Sequence, residues 1–332
     1  MRSTDEKVGG RSVTAFAPGH LTGVFEPAIE AADPRARGSL GAGVALEVGA
    51  WAQARWTPGR SRRVSVGGDL GAPWPISRDV AERLVADRRG TLRVDLRHEL
   101  PIGQGFGMSA AGALATGLAV AGALGVPAQR AIETAHLAEL FGGGGQGGVA
   151  AILRPGLERR DRPGIPPWGR ISHRPWSGRI FLVVMGAPIP SPTLLHDPEF
   201  LDRVGRSGHD GLRALRRGWS AERLFEEAEA FTDRLGLAPP SWGRIVRRLR
   251  GAETRVAQAM LGRSLFAVAF TPEAERRLIT KLGRVPRTVI RVRGGHVGAG
   301  VVHDRPSSER GPKGLRRELS AHRHGRFAGD AT

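Results

Sequence analysis

Cysteine is absent from this sequence, which excludes disulfides, thiol nucleophiles and zinc–thiolate sites. Tyrosine is absent as well, and no basic stretch interleaves aromatic residues as a base-stacking surface would. No apolar run approaches the roughly 18 residues of a membrane-spanning helix. The N-terminal stretch Met1–Ser12 is polar and lacks the apolar segment of a secretory signal. No membrane partner and a cytoplasmic location are therefore expected.

The 332 residues suffice for two medium domains or one large one. With 40% apolar and 25% charged residues, the chain can build a sizeable core. Its net charge of +18 comes mostly from arginine, spread from Arg2 to Arg326 with local knots such as Arg244, Arg247, Arg248 and Arg250. That dispersal favours a generally cationic surface over a nucleic-acid site, and such a surface draws anionic metabolites.

Val13–Pro18 reads as a first strand and Gly41–Trp56 as β-compatible. Ser77–Arg89 reads as a helix capped by Ser77, with Val80, Leu84 and Val85 on one face. Thr91–Glu99 alternates: Leu92, Val94, Leu96 and His98 face one way, Arg93, Asp95 and Arg97 the other. An apolar helix is expected over Ser109–Leu124, and another from Pro127 to Phe141. Gly142–Gly148 holds six glycines and one glutamine, which no regular element tolerates. Arg154–Trp176, rich in proline and arginine, reads as a connection between two halves. Beyond it come a buried strand at Arg179–Met185, a mainly helical region over 197–262, a strand at Ser264–Phe270, a helix at Pro272–Leu282 and a strand pair in Thr288–Val302. The stretch from Asp304 is polar and reads as a disordered tail.

The central feature is Pro101-Ile-Gly-Gln-Gly-Phe-Gly-Met-Ser-Ala-Ala111, between a strand and a helix. Gly103, Gly105 and Gly107 let backbone approach a polyphosphate, and the helix start offers unpaired N–H groups. Ser109 can cap that helix or ligate a phosphate-bound Mg²⁺. The loop lacks the Walker pattern and the dinucleotide GxGxxG spacing. Three glycines making only a tight connection is the plain alternative.

The loop and its helix resemble the second motif of the GHMP kinases, P-x-G-x-G-L-G-S-S-A-A, and especially its form in archaeal pantoate kinases. Ala17-Pro-Gly-His-Leu-Thr-Gly-Val-Phe25 resembles the first motif of that family. Asp33-Pro, Gly38-Ser-Leu-Gly-Ala-Gly43, Ala135-His-Leu-Ala-Glu139, Pro163–Arg170, Ala259–Phe266 and Gly298-Ala-Gly300 follow in the same order. The likeness spans residues 13 to 303.

The resemblance implies an α+β, two-part GHMP kinase fold. The expected parts are an ATP-binding domain over 1–165, a second domain over 166–303 with helices on one face of a sheet, and a tail over 304–332. It implies ATP bound by Pro101, Gly103, Gln104, Gly105, Phe106, Gly107, Met108, Ser109 and Ala110, and Mg²⁺ held by Ser109 and Glu139. His136, one turn before Glu139, either orients it or is an ordinary half-buried histidine. His20 stands where relatives carry a lysine near the reacting hydroxyl, and is the catalytic candidate. Pantoate is the implied substrate. Its carboxylate calls for a basic group or backbone N–H donors, with Ser39 and Arg160 as candidates by position and Arg37 as another. A homodimer is compatible with this reading.

The resemblance fails at Gly148. Many relatives carry an aspartate at the position of Gly148, beside the substrate hydroxyl. Three readings stay open. Phosphoryl transfer needs positioning more than a base, and the homoserine kinase branch works without that aspartate. His20, Glu158 or Asp161 can substitute for it. Or the chain binds ligand without efficient turnover. Another small alcohol is an alternative substrate. By the pattern of those relatives, Gly148→Asp is expected to speed turnover.

Overall fold

The structure, a computed structural model, describes residues 11–68, 74–188 and 197–302. The expected tail from 304 lies outside them. A seven-stranded sheet forms the body of the molecule, with a four-stranded sheet beside it. In the large sheet β1 (Arg11–Ala28) and β2 (Gly38–Pro58) make a long antiparallel hairpin. β3 (Arg62–Gly68) runs parallel to β4 (Gly90–His98), with helix α1 (Pro75–Val85) between them in the chain. β4 alternates as expected: Leu92, Val94 and Leu96 are buried, and Arg93, Asp95 and Arg97 are exposed. Ser77 is buried inside α1 rather than capping it, and the helix stops at Ala86, whose φ is +44°.

The apolar helix α2 (Met108–Leu124) packs across β1 and β2, and α3 (Ala128–Phe141) packs on α2. A single turn, α4 (Gly148–Ala151), follows the glycine run. The first strand is much longer than the apolar run Val13–Pro18. Pro18 lacks an N–H to continue the ladder, and between Pro18 and His20 the register slips so that Leu46 to Val48 of β2 stand opposite Gly19. This slip frees the His20 N–H to donate to the Phe106 carbonyl at 3.0 Å.

The stretch Arg154–Trp176 is not a loose connection. It holds β5 (Leu157–Arg162) and β6 (Arg170–Arg174), an antiparallel hairpin laid on the first half of β2. Residue 165, the expected domain boundary, falls between these two strands. β11 (Gly300–Val302) also returns to the large sheet, beside β1.

The small sheet has the order β10 (Thr288–Arg293), β7 (Arg179–Val184), β9 (Ser264–Ala269), β8 (Thr254–Gln258). β8 lies within the stretch expected to be mainly helical; its five residues are too short to carry a period. Helices α5 (Pro198–Arg217), α6 (Ala221–Leu235) and α7 (Gly243–Leu249) account for most of that stretch, and α8 (Pro272–Leu282) follows β9. Helices cover both faces of the small sheet, not one. Ile180, Leu182, Phe266 and Val268 join the main core, where Phe225 of α6 meets Phe266 edge-on. Phe181, Val183, Leu265 and Ala267 form a second core with Leu249 of α7 and Leu278 and Leu282 of α8. Burial on both faces is why β7 is apolar from Ile180 to Val184. No helix among the described residues is long and apolar enough to cross a membrane.

Candidate active site

A cleft of about 350 Å³ runs along the N-terminus of α2. One wall is the glycine turn. Gly103, Gly105 and Gly107 all have positive φ, at +71°, +80° and +69°, where a side chain would be strained. Gly107 is the N-cap of α2 and uses no side chain, so the first N–H groups of the helix stay open for an anion. The helix thus begins one residue before Ser109, and Ser109 does not cap it. Its Oγ instead donates to Oε1 of Glu139 at 2.5 Å.

Glu139 is 2% exposed, and burial pushes its carboxyl up to about 7, against the smaller opposing effect of the Ser109 hydrogen bond. The glycine run explains itself here. A Cβ on Gly144 would overlap the Glu139 carboxylate, and one on Gly147 would stand 2.5 Å from Ser39 Oγ. A buried carboxylate with one hydroxyl donor, facing an open helix start, suits a hard cation such as Mg²⁺. That ion takes few protein oxygens and completes its shell from phosphates and water. No cluster of three or more His, Cys, Asp or Glu occurs among the described residues.

The cleft is also lined by His20, Ser39 and Arg160. His20 is 4% exposed, with Nε2 at 3.0 Å from Oε1 of Glu158, a carboxylate with no exposure. Arg160 donates to the same oxygen, and its Nε donates to the Ser39 carbonyl at 3.3 Å. Two glycines of β2 make room for this arrangement: a Cβ on Gly41 would overlap the Arg160 guanidinium, and one on Gly43 would stand 2.5 Å from His20 Nε2. Burial pushes the Glu158 carboxyl up, but the Arg160 charge and the His20 hydrogen bond together hold it below the usual range. Burial pulls His20 below its ordinary value, against the pull of Glu158. The histidine is therefore neutral near pH 7.

The other expected residues fall as follows. Gly103, Gly105, Phe106, Gly107, Met108 and Ala110 line the cleft, while Pro101 is exposed and does not. The Gln104 side chain turns away from the cleft: it donates to the Gly186 carbonyl at 2.9 Å and accepts from Ser264 Oγ at 2.7 Å. His136 does not touch Glu139; it is buried against the Pro34 carbonyl at 3.3 Å. Arg37 binds the carbonyls of Ala31 and Ala32 rather than the cleft. Asp161 is engaged by Arg159 and Ser172. Gly148 lines the cleft, but a Cβ there would stand 2.7 Å from the Ala110 methyl. An aspartate does not fit without a shift of α2 or α4, so the expected gain from Gly148→Asp does not follow. Thr22, Ile76, Ile102, Met260 and Leu261 line the cleft without having been singled out in the sequence. Of these, Thr22 was accessible from strand alternation with His20.

Comparison with known proteins places this geometry. Residues 76–156 match the GHMP kinases N terminal domain family. The pantoate kinase of Thermococcus kodakarensis is 33% identical over 276 residues, covering 80% of this chain and 90% of that protein. The pantoate kinase of Methanospirillum hungatei is 26% identical over 282 residues, covering 84% of this chain and 93% of its own. A solved structure described as a phosphotransferase related to the CoA biosynthesis pathway is 29% identical, with a TM-score of 0.77, covering 88% of this chain and 99% of that one. Fold and likeness make the chain a small-molecule kinase. It belongs to the pantoate kinase family of the GHMP kinases.

Proposed function

We propose that this chain transfers the γ-phosphoryl group of ATP to the primary hydroxyl of pantoate, giving 4-phosphopantoate and ADP in coenzyme A synthesis. The observation that carries the reading is one continuous cleft joining the phosphate turn to the buried His20–Glu158–Arg160 group. The ATP phosphates lie along Gly103 to Ala110, on the open N–H groups of α2. Ser109 and Glu139 would hold Mg²⁺, which when bound neutralises phosphate charge. Arg160 and Ser39 orient the pantoate carboxylate. Because Glu158 offsets its charge, Arg160 serves as a hydrogen-bond donor more than as a free cation. His20 lies beside the turn, its Cβ within 2.9 Å of where a Gly107 Cβ would be, and so adjoins the transferring group. A cytoplasmic location belongs to the same reading.

The test is ADP release by the purified full chain with ATP, Mg²⁺ and pantoate, beside homoserine, mevalonate and sugars as acceptors. Pantoate-dependent release is expected; release with another acceptor alone moves the substrate, and none at high enzyme concentration removes the activity. Gly148 favours one second reading, a ligand binder without efficient turnover, since no carboxylate stands there. Calorimetric binding of ATP and pantoate without ADP release would select it.

A further inference from the structure

Glu139 is the one carboxylate, and His20 the one histidine, among the described residues that line the cleft. Glu139 is engaged by Ser109. His20 is thus the proton acceptor left for the alcohol. Its ring is held at Nε2, while the long contact at Nδ1 leaves that nitrogen open to a substrate hydroxyl in place of Thr22. Nε2 meets Glu158 at 3.0 Å, and Nδ1 has the Thr22 hydroxyl, itself a cleft residue, at 3.4 Å. Glu158 does not line the cleft and has no exposure, and its Oε2 has no hydrogen-bond partner. A carboxylate lowered by Arg160 only accepts hydrogen bonds, so the nitrogen facing it must carry the proton.

Resting on the kinase reading above, we propose that Glu158 is a positioning residue: it holds His20 in the Nε2-protonated tautomer, leaving the Nδ1 lone pair to take the proton of the substrate hydroxyl. In the transfer, the substrate O–H bond breaks and its proton passes to Nδ1. The oxygen forms the new bond to the γ-phosphorus, and the bond from that phosphorus to the bridging oxygen breaks, its electron pair leaving on ADP. The imidazolium then returns its proton to solvent. Glu158 stabilises that cation while it exists. The charged and titratable groups facing His20 are Glu158 and Arg160 on β5, with His173 of β6 paired across from Glu158 in register. Gly43 of β2 and the turn at Phe106 and Gly107 present only backbone there.

Two measurements test this. Long-range ¹H–¹⁵N spectra of the histidine-labelled full chain, with His20 assigned through His20→Gln, should show the Nε2–H tautomer near neutral pH. The Nδ1–H tautomer overturns the proposal, whatever the substrate proves to be. Glu158→Gln, which still offers Nε2 an acceptor, should lower kcat by roughly 10²-fold without raising KM for pantoate, because the Arg160 charge is then no longer offset. At saturating Mg²⁺ and ATP, which hold Glu139 ionised, the acidic limb of its kcat–pH profile should move to lower pH, because an imidazolium without its carboxylate is less stable. An unshifted limb, or equal losses in kcat and KM, assigns Glu158 a merely structural part and overturns the proposal. If Glu158→Gln does not fold, the wild-type tautomer decides. Absence of pantoate turnover by the wild type refutes the substrate and leaves the tautomer test standing.

Discussion

Glu139 and Glu158 are both withdrawn from water, at 2% and 0% exposure, yet the first is pushed up to about 7 and the second held below the ordinary carboxylate range. Burial acts on both in the same direction. The difference lies in their neighbours: Glu139 has a neutral hydroxyl, whereas Glu158 has a guanidinium and an imidazole N–H. A buried carboxylate without a cation is an incomplete site, and one with its cation in place is a finished part of the scaffold. The surroundings of the two carboxylates differ accordingly: one is built to receive positive charge, the other already contains it.

The sharpest way to break this contrast is Glu139→Gln, which keeps an oxygen for Ser109 and removes the charge. Turnover should fall by roughly 10³-fold, since metal-assisted charge neutralisation is worth several kcal/mol. Stability should move the other way. The unfolded carboxyl ionises near its ordinary value and the folded one near 7, so stability is lost as pH rises between them, by about 3 kcal/mol in all. Thermal melts of the metal-free protein should therefore show the variant more stable than wild type above about pH 7, and the difference should vanish towards about pH 4. A variant less stable at both pH values refutes the incomplete-site reading.

Arg160→Met would turn Glu158 into a second Glu139. Removing one partner of a buried pair should cost about 3 kcal/mol in urea titrations near neutral pH. The pH dependence should change sign. In the wild type the lowered Glu158 carboxyl adds stability above its unfolded value, lost as pH falls through the folded one; in the variant, the loss comes as pH rises. Unchanged stability would mean that Arg160 is not what holds Glu158 ionised. Gly148→Asp should reduce turnover by roughly tenfold, because its Cβ meets Ala110 and its carboxylate would crowd Glu139. Gly148→Asp with Ala110→Gly should recover part of that loss in the same ADP assay, and no recovery would remove Ala110 as the obstacle.

How much of this was legible depended on whether a residue's meaning lay in its own segment. The phosphate turn could be read because glycine spacing, a strand before it and a helix after it are all local. Glu139 and His20 followed from the resemblance, and β4 from strict alternation. The β5–β6 hairpin escaped because its pattern is inverted: Glu158 and Arg160 are the buried residues, while Arg159 and Asp161 pair on the other face. Hydrophobic periodicity cannot find a strand whose inward side chains are charged. Gly41 and Gly43 gave the complementary signal, since glycine within a strand marks close approach, but what approaches comes from β1 and β5. The obstacle at Gly148 is equally nonlocal, a methyl group from another helix.

Gln104 carries the comparison from the two carboxylates to the two sheets. It sits in the phosphate turn, yet its side chain binds Gly186, just past β7, and Ser264 of β9, which ties the turn to the small sheet. The β8–β9 turn presses on the same place: a Cβ on Gly262 would overlap the Gln104 carbonyl, and Leu261 there holds a φ of +61°. Gln104→Ala should cost about 1–3 kcal/mol, because it leaves a half-buried carbonyl and a buried hydroxyl without their partner. The two carboxylates should be untouched. KM for ATP should rise a few-fold while kcat and its pH profile stay near wild type, since the turn loses its anchor but not its backbone donors. A kcat loss as large as that of Glu139→Gln would show that the small sheet does more than hold the turn still.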